Sequence, residues 1–298
     1  MKRASLPIHV ALAMTTCFWI TVALVSAVHA QDGGKPAPAK QAQSEEAAKE
    51  ERKKELDEMR RRAEGTSVFR VDGSNKTPAK IVAEPLMRSS DQVILAVDST
   101  LWAYGTKGRP AAVQKVACYR HPSFPKYQYA LFSLCDGMIE ARWPGESGWS
   151  STRPGVEMRV LPGSPKPADT ATARLLQLKD LARRFAVTMT GWEHRRQEMR
   201  LLSRPVHRYA DPEAGLQDGA IFVFVVNGTN PDCLILIELQ GKSLDQATWK
   251  YGAVRMTDGG LNMRLDDKEV WSADWRVSSG GRYDNWLYFH ARQQQRGQ

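Results

Sequence analysis

This chain matches itself. Pro85 to Asp98, laid without a gap on Pro205 to Asp218, pairs Pro85/Pro205, Arg88/Arg208, Asp91/Asp211 and Asp98/Asp218. Lys126 to Ser150, laid on Thr248 to Ser272, pairs Tyr129/Tyr251, Asp136/Asp258, Gly137/Gly259, Arg142/Arg264, Trp149/Trp271 and Ser150/Ser272. The stretches between the blocks are 27 and 29 residues long. Ten identities compare with roughly two or three expected from average residue usage, so the sequence reads as a duplicated unit. Leu56, Met59 and Ala63 mark an apolar helical stripe in the first copy, and Leu178, Leu181 and Phe185 repeat its spacing in the second.

Beyond each helix the pattern turns β. Ile221–Val226 and Cys233–Leu239 are near-continuous apolar runs separated by Asn227-Gly228-Thr229-Asn230-Pro231, the signature of strands covered on both faces. Asp136-Gly137 and Asp258-Gly259 stand between β-prone runs and predict hairpins, because Asp and Gly tolerate the positive φ of a tight turn. The predicted fold is α+β: two tandem units, residues 66–163 and 164–298, each an antiparallel sheet with one packed helix. Sheets apolar on both faces predict that the units pack on each other.

The first 65 residues read differently. Lys2 and Arg3, an apolar run from Leu6 to Val28, and Val28-His29-Ala30 form a signal peptide over 1–30, which places the mature chain outside the cytoplasm: periplasmic, envelope-associated or secreted. A membrane partner enters only if that segment stays uncleaved as an anchor. Residues 31–43 read as a tether. From Ser44 to Gly65, opposite charges four apart (Glu50/Lys54, Glu58/Arg62) predict a solvated helix. That tether and helix, 31–65, carry nine basic and nine acidic residues, so of the net +9 about +7 falls on 66–298 and makes an anionic surface a candidate partner.

Little in the sequence points to catalysis. His121, His194, His207 and His290 fall at no metal-ligand spacing, and no nucleophile elbow, Walker loop or cofactor motif occurs; no metal or cofactor is expected. Cys118, Cys135 and Cys233 fit no zinc pattern and read as small buried residues. The candidate binding set is the repeated polar one, Arg88, Asp91 and Arg142 with Arg208, Asp211 and Arg264. Each Arg-x-x-Asp is either a bidentate ion pair pinning two segments or an anchor for an anionic or hydroxyl-rich ligand. His207, Arg208, Tyr209 and Asp211 form the one local cluster that a hydrolase site could use, and Met87 replaces His207 in the first copy. Trp275, Trp286 and Tyr288 lack counterparts in the first copy and are candidates for a carbohydrate-stacking platform. With a secretion signal present, nucleic acid is not an expected partner.

Arg204-Pro205-Val206-His207-Arg208-Tyr209, Asp218-Gly219-Ala220-Ile221-Phe222, Trp249-Lys250-Tyr251-Gly252 and Val270-Trp271 resemble a group of secreted proteins of planctomycete-type bacteria. Glu84-Pro85, Leu101-Trp102-Ala103-Tyr104-Gly105 and Gly108-Arg109-Pro110 in the first copy are similar to the same group. The resemblance covers most of residues 80–275. It implies the compartment and the two-unit layout and carries over no catalytic residue. The reading from sequence is a non-enzymatic binding or structural protein whose partner is an envelope component or another protein. A hydrolase centred on His207 and a carbohydrate-binding module are the alternatives.

Overall fold

Helix α2 (Ala171–Arg183) shows how local sequence sets the fold: the Thr170 side chain accepts from Ala173 N, capping the first turn, and Leu178, Leu181 and Ala182 form its buried stripe. The computed structural model describes residues 38–91, 96–119, 126–146, 148–191, 195–276 and 283–290, with side chains of 38–44, 97 and 288–290 outside the description. The signal segment, His121 and His194 lie outside the described residues. The chain divides into a unit of residues 1–47 and a unit of 48–298. Among the described residues no helix is long and apolar enough to cross a membrane.

The first series of elements is helix α1 (Pro38–Glu64), strands β1 (Ser67–Asp72), β2 (Asn75–Ala79), β3 (Met87–Asp91), β4 (Ala96–Tyr104), β5 (Ala112–Tyr119), β6 (Tyr127–Ser133), β7 (Met138–Arg142) and β8 (Trp149–Ser150), then β9 (Arg159–Val160). The second is α2, β10 (Phe185–Thr190), β11 (Arg196–Glu198), β12 (Arg200–Leu201), β13 (His207–Asp211), β14 (Leu216–Val225), β15 (Cys233–Gln240), β16 (Thr248–Arg255), β17 (Gly260–Leu265) and β18 (Lys268–Ala273), then β19 (Trp286–His290). The fold is mixed α+β, mostly antiparallel sheet with two helices.

Each series builds two sheets where the sequence predicts one. The small ones run β2-β1-β7-β8 and β11-β10-β17-β18. The large ones run β3-β4-β5-β6-β19 and β12-β14-β15-β16-β9, with β13 also on β14. The predicted Asp-Gly hairpins are the reason for the difference. β6 and β7 do not pair with each other, nor do β16 and β17; each Asp-Gly is a corner at which the chain leaves a large sheet for a small one. Neither Asp136-Gly137 nor Asp258-Gly259 has the positive φ that a type I′ turn needs. Gly259 serves another purpose: a Cβ there would sit 2.9 Å from Met189 Cγ, so a larger residue at the corner would have to push the Met189 side chain aside.

The tails cross. β9, at the end of the first series, pairs Arg159 with Tyr251 on the second large sheet, and β19, at the end of the second, pairs Phe289 with Tyr129 on the first. The two large sheets meet over one apolar cluster in which Leu101, Val113 and Phe132 join Ile221, Val223 and Leu236. On the far face of the second sheet, Leu178, Leu181 and Ala182 of α2 pack over Phe222 and Ile235; on the far face of the first, Met59 and Ala63 of α1 pack over Trp102 and Val116. The helical correspondence that the packing selects is Met59/Leu178 and Ala63/Ala182, all four fully buried, three residues out of the register that the apolar spacing predicts.

Candidate functional site

In both series the repeated Arg pairs with an Asp, though not with the one three residues on. Arg88 Nε donates to Asp98 Oδ1 at 2.7 Å and Nη2 to Oδ2; Arg208 donates to Asp218 from Nε (2.9 Å) and Nη2 (2.6 Å). Arg-x-x-Asp cannot close within a strand, because residues three apart point to opposite faces. Arg88 stands opposite Thr100 in the ladder, so Asp98 is its diagonal neighbour on the same face. Each Arg then reaches a helix backbone: Arg88 Nη2 donates to Arg52 O (3.0 Å) and Arg208 Nη2 to Ala171 O (2.6 Å). In the second series Arg174 Nε also donates to Asp218 Oδ2 at 2.8 Å. These pairs fasten helix to sheet.

The other repeated residues scatter. Arg142 is exposed and pairs with Glu140 at 2.5 Å; Arg264 reaches Glu198 at 3.4 Å. Asp91 is buried near Lys115, whereas Asp211 accepts from Ala214 N (3.3 Å) and from Lys107 Nζ (3.3 Å) at the molecular edge. His207 is half-buried, its pKa lowered by burial, with its ring 5.7 Å from that of Tyr209. Arg208, between them in the strand, points across the sheet towards α2, so His207, Arg208, Tyr209 and Asp211 do not converge on one point.

Tyr209 belongs to a network that nothing in the sequence singles out. Its hydroxyl donates to Glu238 Oε1 at 2.7 Å. The same carboxylate takes both arms of Arg109, Nε to Oε1 at 2.7 Å and Nη2 to Oε2 at 2.8 Å, and Gln240 Nε2 at 2.6 Å. Burial raises the Glu238 pKa, but the Arg109 pair outweighs it and holds the carboxyl below its usual value. Arg109 and Glu238 lie 129 residues apart and tie one series to the other.

A cleft of about 1020 Å³ opens beside this network, where the crossing tails meet. Its walls include Arg109, Lys250, Arg255, Trp271, Arg276 and Trp286. Trp286 is not an open platform: it is 4% exposed, stacked on Tyr283 (centroids 4.1 Å apart) and Phe132 (5.7 Å), with the Arg255 guanidinium 5.4 Å from its ring. Burial and stacking thus remove its faces from solvent. Trp275 is half-buried and does not line the cleft, and the Tyr288 side chain and that of His290 lie outside the described residues. Lys250 and Arg255 align with Gln128 and Ser133 in the self-match of the sequence, so these two cations belong to the second series alone. No family model, curated protein or solved structure matches this chain.

Proposed function

We propose that this chain is an extracytoplasmic, non-enzymatic binding protein: two duplicated α+β units, 66–163 and 164–298, carried behind a signal peptide (1–30) and a tethering segment (31–65). The reading extends the resemblance to secreted planctomycete-type proteins. One observation carries it. The repeated Arg–Asp pairs tie sheet to helix in both series, while two cations of the large cleft, Lys250 and Arg255, are found in only one. A duplicated scaffold with a differentiated concavity is how a binding site is added to a fold without altering what holds it together.

Export is tested by sequencing the N-terminus of the protein recovered from its native fraction: Gln31 is expected outside the cytoplasm, and an intact Met1 chain in the cytosol overturns it. Function is tested by assaying the purified protein against ester, glycoside and phosphoester substrates. No turnover is expected. Turnover abolished by His207→Ala would replace this reading with the hydrolase one.

A further inference from the structure

We propose that Lys115 and Asn230 join in an intramolecular isopeptide bond, Nζ to Cγ with loss of ammonia, a covalent staple between the two series that the folded chain makes on itself. The inference goes beyond the binding reading and does not depend on it. Lys115 stands on β5 opposite Leu101 and Ala130, both in the apolar layer between the large sheets. Its Nζ donates to Asn230 Oδ1 at 3.0 Å across a separation of 115 residues, and both residues are buried. Among the described residues Lys115 forms no ion pair: its buried ammonium meets the oxygen of a neutral amide. Burial lowers its pKa against the charges of Asp232, Asp91 and Asp258, and a desolvated lysine that gives up its proton is a nucleophile.

Asn230 is held in place by its loop. The segment between β14 and β15 is fixed at Asp232, whose N donates to Phe224 O (3.1 Å), whose O accepts from Met256 N (2.9 Å) and whose Oδ2 accepts from Val226 N (2.9 Å). Before it in the loop, Thr229 N donates to Ser90 O of β3 at 3.4 Å. Pro231 has no N–H, so the route by which an asparagine ordinarily loses its amide, closure onto the next backbone nitrogen, is absent at Asn230. Asp232 supplies the acid. It is buried, its carboxyl is lifted to about 6, and of the three carboxylates that act on Lys115 its charge acts most strongly. Transfer of one proton from the ammonium to that carboxylate makes amine and acid with no change in net charge. The amine lone pair then turns from Oδ1 to Cγ, one carbonyl bond away. As the Nζ–Cγ bond forms, the Asp232 proton goes to Oδ1; the carboxylate takes the surplus proton from Nζ and passes it to Nδ2. The Cγ–Nδ2 bond breaks, ammonia leaves, and the Oδ1 proton returns to Asp232. No oxidant or further reactant enters.

The test is peptide mapping by mass spectrometry of the purified protein, unfolded in denaturant and digested with chymotrypsin. One branched peptide holding Lys115 and Asn230 is expected, lighter than its two linear parts together by one ammonia. The peptide decides rather than the mass of the whole chain, because Asn227-Gly228 and an N-terminal Gln31 each lose ammonia by routes of their own. Lys115→Met, and Asp232→Asn, which removes the acid and keeps its shape, are each expected to return linear peptides alone. Both are expected to melt below the parent, since the cross-link closes a long loop in the unfolded chain. A parent that unfolds cooperatively yet yields linear peptides alone overturns the proposal, and that reading needs no variant to fold. A branched peptide that persists undiminished in Asp232→Asn overturns it too. The binding-protein reading is untouched by either result and falls only to the turnover assay.

Discussion

Asp232 accepts from Val226 N at 2.9 Å beside Lys115, whose buried ammonium reaches Asn230 Oδ1 at 3.0 Å. Burial lifts the Asp232 carboxyl to about 6, against the pull of the Val226 amide and Lys115. A carboxyl whose folded pKa exceeds its unfolded one binds its proton more tightly in the native state, so stability falls as pH rises from the unfolded carboxylate range to about 6 and is level above it. Asp232→Asn is therefore expected to gain stability relative to the parent as pH rises from 4 to 8, read by urea denaturation at each pH; a difference independent of pH would refute the assignment. None of this group was legible in the sequence. Lys115 stands where the second series has Leu236, and Arg109 and Glu238 likewise lack counterparts, so the self-match of the sequence gave no signal and their partners lie more than a hundred residues away. Arg88 and Arg208 were legible because the sequence matches itself at these positions. Their partners were not, since the choice of Asp98 over Asp91 depends on strand pairing, which residue spacing leaves open.

Helix-to-sheet fastening differs between the two series in one respect that can be measured. Asp218 has two arginines, Arg208 and Arg174, while Asp98 bonds to Arg88. Replacing one partner of a buried pair leaves a carboxylate without compensation, which costs about 3–5 kcal/mol when nothing else neutralises it. Arg88→Met is expected to destabilise more than Arg208→Met, by about 1–2 kcal/mol, because Arg174 still serves Asp218. Equal midpoint shifts in guanidinium unfolding would show that the second arginine adds nothing. The crossing tail has its own constraint at Gly155, where a Cβ would lie 2.1 Å from Ser133 O, a backbone atom that cannot step aside. Gly155→Ala is expected to cost about 2 kcal/mol or more, with the loss measured by thermal denaturation; wild-type stability would mean that the tail does not run against β6. Helices and central strands could be read from periodicity, but α1 starts at Pro38, ahead of the charge pairs that begin at Ser44, because Ala and Gln also favour helix and Pro is tolerated in its first turn. The Asp-Gly corners misled because the same dipeptide serves a hairpin and a change of sheet, and only long-range pairing separates the two.

Within residues 48–298 the two large sheets share an apolar layer and each borrows an edge strand from the other series. Neither series has a complete sheet or a covered inner face without its neighbour. A single cooperative unfolding transition is expected for this unit, with calorimetric and van't Hoff enthalpies in agreement; two separable transitions would mean that the halves are stable alone. The exchange of strands also sets an order in time. A polypeptide is made from its N-terminus, and β19, the last strand described, completes the sheet that β3 to β6 begin. The earliest-made sheet therefore waits for the latest-made strand. Until residue 290 has emerged, the exposed edge of β6 (Tyr127–Ser133) has no partner, and the growing chain holds an unfinished β surface through about half of its synthesis.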